Sequence, residues 1–112
     1  MDWELTKDKT LERWFAIRDG IGTAEPVDLL TDINVLNEMC QKAREEADTP
    51  WGYCEYCLFY QQFGGCKEIS GQMSECVAAR DWEQLRQLVD DFIAHLQAME
   101  VPPPGVHAVG AP

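Results

Sequence analysis

The chain predicts an all-α fold: a small bundle of four to five helices with a cysteine-rich metal-binding segment. Three observations lead there. Apolar residues recur at helical spacing, most clearly at Leu85, Leu88, Val89, Phe92, Leu96 and Met99. No segment alternates apolar and polar residues with the period of two that marks a strand. Four of the five cysteines fall between positions 54 and 76, as C-x2-C-x8-C-x9-C.

A first short helix is expected from about Lys9 to Arg18, where Leu11, Trp14, Phe15 and Arg18 follow the i, i+3, i+4, i+7 pattern. Gly20 and Gly22 end it, since glycine tolerates the left-handed turn after a helix. Pro26 then opens a longer helix, sitting in a first turn where its missing N–H costs nothing. The apolar face of this helix is Leu29, Ile33, Leu36, Cys40, Ala43 and Ala47, and Pro50 stops it. Thr49 is a candidate N-cap for the next helix.

From Pro50 to Phe63 the spacing of Tyr53, Tyr56, Tyr60 and Phe63 favours a helix over a knuckle-like loop, with Gly64-Gly65 as its stop. A fourth helix runs from Ile69 to Arg80, with Ile69, Met73, Cys76 and Val77 on one face. Asp81-Trp-Glu-Gln84 resembles a capping box opening the last helix. One domain over residues 1–100 is expected, and Val101-Pro-Pro-Pro104 leads into a Pro/Gly tail, 101–112, read as disordered.

Composition narrows the function. Hydrophobic residues make up 46% of the chain, enough for a core. The formal net charge is −11, with no Lys/Arg stripe to neutralise phosphates, so neither nucleic acid nor anionic membrane is expected as a partner. Residues 26–48 carry six acids and two bases, against three acids and two bases in 49–80, so the cysteine segment is nearly neutral beside an acidic flank. That acid is a solvated surface or a dock for a basic partner. The N-terminus lacks a basic, apolar leader and no run reaches the ~20 apolar residues of a membrane helix, so a cytoplasmic protein is expected.

In a reducing compartment clustered thiols are more often metal ligands or redox groups than a disulfide framework. The expected metal ligands are Cys54, Cys57, Cys66 and Cys76, all as thiolates. Cys54 and Cys57 would share a helix face, Gly64-Gly65 would let the backbone approach closely at Cys66, and Cys76 would come from the next helix. Cys40 is most simply a core residue, though it could replace one of the four. A single C-x2-C with two dispersed cysteines fits an iron–sulfur cluster slightly better than zinc, because the ligands of a cube lie further apart than those of one ion. Trp51, Phe59 and Tyr60 would form the hydrophobic shell. A thiol redox role is the next alternative, although the βαβ setting of thioredoxin-like motifs is absent.

The segment Cys54-Glu-Tyr-Cys57-Leu-Phe-Tyr-Gln-Gln-Phe63-Gly-Gly-Cys66 is similar to the tail of SPASM domains, the auxiliary cluster-binding modules of radical-SAM enzymes. Phe63 stands where that family would place another ligand. The run Cys54-x-x-Cys57-x-Phe-Tyr-Gln61 also resembles the start of high-potential iron–sulfur proteins. Each resemblance covers about a dozen residues; both imply cluster ligation and neither carries a family assignment.

His95 lies at the edge of the last apolar stripe and His107 in the tail, and nothing sets a base beside a nucleophile, so a dedicated enzyme is not expected. The expected function is a small metal-binding accessory protein, with an iron–sulfur or zinc centre, acting as subunit, assembly factor or electron-transfer partner of a larger redox enzyme. The alternative is a zinc-stapled protein-interaction module without redox chemistry.

Overall fold

The computed structural model describes residues 2–35 and 37–102. These form helices α1 (Trp3–Gly20), α2 (Pro26–Asn34), α3 (Glu38–Ala47), α4 (Leu58–Phe63), α5 (Cys66–Ala79) and α6 (Trp82–Ala98), with a 3-10 turn at Tyr53–Tyr56 before α4. Five helices have nine residues or more, α4 is a single short piece, and no strand occurs among the described residues. The all-α bundle is as the sequence predicts.

α1 begins earlier than expected. Asp2 caps it, its carboxylate accepting from the Leu5 N–H at 2.8 Å. Its buried face is Trp3, Thr6, Thr10, Trp14 and Ile17. The two threonines hid the first half of this face from an apolar-pattern reading. Both are fully buried, with hydroxyls donating to the carbonyls of Asp2 and Thr6 four residues back.

The single helix expected from Pro26 to Ala47 is two helices. Val35 is extended, and Asn37 starts α3 by accepting from the Cys40 N–H at 3.0 Å. Leu36, counted in that helix's apolar face, lies outside the described residues. The break turns α3 onto α1, where Arg13 grips Glu38 through two hydrogen bonds of 3.0 and 3.1 Å, and Trp3 Nε1 donates to Glu46 at 3.0 Å. Burial pushes the Glu38 carboxyl up, but the Arg13 hydrogen bond and charge outweigh it and leave Glu38 below its ordinary value.

α6 carries the expected stripe, with Leu85, Val89, Phe92, Ile93 and Leu96 buried. Asp81 caps it by accepting from the Gln84 N–H, as half of the expected capping box. The Asp81 N–H is taken instead by the Cys76 carbonyl, in the turn that ends α5 at left-handed Arg80. α6 packs on α1 and α5, and Lys7 reaches from α1 to the carbonyls of Gln97 and Met99 at the C-terminal end of α6. Phe92 joins the halves of the core, its ring 4.6 Å from Trp14 and 4.7 Å from Phe59. Of the expected tail, Val101 is half-buried against this core, and 103–112 lie outside the described residues.

Candidate metal centre

The helix expected over Pro50–Phe63 is a turn of 3-10 helix, an extended residue and the short α4. Gly52, with φ +69°, starts the 3-10 turn, and Cys57 is extended, ending that turn and preceding α4. Cys54 and Cys57 therefore do not share a helix face. Thr49 caps no helix; its hydroxyl accepts only a long 3.5 Å bond from the Trp51 N–H. Gly64 and Gly65 take φ of +64° and +63°, and the reversal sets Cys66 as the first residue of α5.

Three thiols share one cavity, and one of them is Cys40. Cys40 on α3, Cys54 in the 3-10 turn and Cys66 on α5 line a cavity of about 240 Å³. Its remaining wall includes Trp14, Ile33, Tyr53, Met73 and Phe92. Cys57 does not line it, but its ionisation is opposed by charge on Cys40 and Cys54. Cys66 in turn feels Cys40, Cys57 and Cys54. All five cysteines are free thiols.

Cys76 stands apart. α5 starts at Cys66 rather than Ile69, so Cys66 and Cys76 are ten positions apart on one continuous helix. At 1.5 Å per residue that is about 15 Å along the axis, too far for two ligands of one ion. Cys76 is buried, and the charges that oppose its ionisation, after burial itself, are Asp81 and Glu75, not the other thiols.

The expected shell also changes. Trp51 is 75% exposed and Tyr60 47% exposed, while Phe59 is buried in the core at 1%. Beside Tyr53, the apolar wall comes from α1, α2, α5 and α6, which no local reading of residues 51–63 could show. His95 is exposed, with its ring 4.8 Å from Phe63.

Burial dominates the thiols' chemistry. It pushes Cys40 and Cys57 up, and it pushes Cys66, with help from the three neighbouring thiols, to about 11. Such thiols are protonated at neutral pH and poor nucleophiles. A cation would reverse this by stabilising the thiolates. Among the described residues no three Cys, His, Asp or Glu side chains form a closed ligand group for a metal ion. The thiols border a space several times the ~30 Å³ share of one water instead.

Among the described residues one buried side-chain polar atom is left over: Trp14 Nε1, with no hydrogen-bond partner although Trp14 is only 4% exposed. An unsatisfied buried donor of this kind costs about 1–3 kcal/mol.

Comparison with family models, curated proteins and solved structures finds no match to the chain. Among the described residues no helix is long and apolar enough to cross a membrane.

Proposed function

We propose that this chain holds a cysteine-ligated metal centre at Cys40, Cys54, Cys57 and Cys66, with an iron–sulfur cluster preferred to zinc. It would serve as a small accessory subunit, assembly factor or electron-transfer partner of a larger redox enzyme in the cytoplasm. The observation that carries the reading is that Cys40, Cys54 and Cys66, from three separate elements, line one largely apolar cavity, with Cys57 three residues from Cys54. The preference for a cluster rests on the sequence, in which a single C-x2-C is joined by dispersed cysteines, as suits ligands that lie further apart than those of one ion. An apolar wall limits solvent access, one determinant of cluster potential. The acidic surface would favour a basic face on the protein partner.

The test is iron, acid-labile sulfide and zinc content, with an absorption spectrum, on protein purified without oxygen. Iron and sulfide in equal amounts with charge-transfer absorption are expected, and Cys40→Ser should lose most of both. Cys76→Ser should keep its metal and show only a packing loss of about 1 kcal/mol. Metal loss in Cys76→Ser with retention in Cys40→Ser would overturn the ligand set. A colourless protein with one zinc would favour the zinc-stapled interaction module.

A further inference from the structure

We infer that the cavity bordered by Cys40, Cys54 and Cys66 is a binding site for a small neutral aromatic molecule of one or two rings. The inference goes beyond the metal-binding reading and needs no metal, because it rests on the size and lining of the cavity alone.

Close-packed interiors hold few voids larger than a water molecule, and this cavity is about 240 Å³. Its floor is apolar and closed: Trp14, Ile33, Met73 and Phe92 line it, and each is at most 5% exposed. Its edge is open, since Asn34, Val35 and Lys67 also line it and are exposed. That edge gives a ligand a way in from solvent. An apolar cavity of about 150 Å³ accommodates benzene, so the space here suits one ring with substituents or two fused rings.

The lining selects the class of ligand. Among its described residues Lys67 is the one charged side chain, and it lies at the exposed edge. Burial holds the Cys40 and Cys66 thiols in their neutral form. An ion would lose its hydration against the floor without gaining a partner there. Water against the same floor has mostly apolar neighbours, and displacing poorly held water with an apolar group gains affinity. Trp14 and Phe92, with ring centroids 4.6 Å apart and planes tilted by 48°, favour a further ring in offset or edge-on contact. Met73 and the thiols add soft sulfur, which also packs well against aromatic rings.

The experiment titrates the full, reduced, metal-free chain with indole, reading the heat of binding and the alkylation rate of each cysteine by mass spectrometry. Saturable one-to-one binding with a Kd below about 1 mM is expected. Bound indole should slow the alkylation of Cys40, Cys54 and Cys66 and leave Cys76 unchanged. Cys76 is the internal control, because it lies on α5 but outside the cavity lining. Ser70→Phe, which adds a ring at the half-buried wall, should weaken indole binding by about tenfold or more. Should that variant fail to fold, Ile69→Trp fills the same wall and the same loss is expected. No saturable binding, equal slowing of all five cysteines, or unchanged affinity in the folded wall variant overturns the proposal. These outcomes are independent of metal content: indole binding by a chain that takes up neither iron nor zinc supports this site while overturning the metal-binding reading.

Discussion

At the scale of single residues, Asn37 links local structure to the candidate site. Its side chain is buried and caps α3 by accepting from the Cys40 N–H, so one hydrogen bond both starts the helix and fixes the backbone of a proposed ligand. Loss of such a cap costs about 1 kcal/mol, with about 2 as the upper end. Asn37→Ala should therefore lower the denaturation midpoint and, in loaded protein, speed the loss of iron to a chelator. Asn37→Ser or Asn37→Asp should retain most of both. Equal iron loss from Asn37→Ala and wild type would separate the cap from the site. The signal was present as Asn-x-x-Cys, but it was masked by an apolar pattern that ran through it from Leu29 to Ala47. Periodicity reports which residues share a face only while the helix continues.

At the scale of elements, the glycine pair before α5 decides where Cys66 goes. Gly64, at φ +64° and ψ −167°, occupies a region open essentially to glycine alone, although little crowds the position a Cβ would take. Conformation, not space, is the constraint. Gly64→Ala should cost about 1–3 kcal/mol and reduce iron uptake, because the reversal that presents Cys66 would be strained. Gly71, inside α5 with open space around it, is the control: Gly71→Ala should be stabilising by about 0.5–1 kcal/mol. Chemical denaturation of the two variants checks this, and comparable stability in both would sink the argument. Gly64-Gly65 was legible as a stop and a close approach. That the next helix starts at once, with Cys66 in its first turn, was not, because Cys66 and Lys67 add little to an apolar pattern that first becomes clear at Ile69. This shift of three residues puts Cys66 and Cys76 on one helix and separates them.

At the scale of the molecule, α1 ties the structure together: Arg13 and Trp3 hold α3, Lys7 holds the end of α6, and Trp14 meets Phe92 in the core. This packing leaves Cys66 half-buried, which has a pH consequence of definite sign. The folded-state value of Cys66, about 11, lies above the ordinary 9.0, so folding favours its protonated form. That contribution is fully present below about pH 9 and is lost as pH rises towards 11. Metal-free protein should thus lose stability across that interval, read as a falling denaturation midpoint. Metal uptake should run the opposite way, strengthening as pH rises through neutrality, since binding displaces the thiol protons. A metal-free midpoint that stays flat above about pH 9 would contradict the burial of Cys66.

Residue order alone was enough for the helical class, the amphipathic stripe of α6, the punctuation at Pro26, Gly64-Gly65 and Asp81, and the richness in thiols that directs attention to metal. These are local properties, set by periodicity, backbone freedom and composition, and they need no partner element. Which thiols are neighbours was settled by packing. Cys40 is brought to Cys54 and Cys66 by the break before Asn37 and the packing of α3 on α1 and the 3-10 turn, while Cys76 is carried away along α5. Trp14 joins the cavity wall from α1 by the same packing. A helix fixes distance along its own axis, but closeness between elements depends on where each helix begins and which buried faces meet.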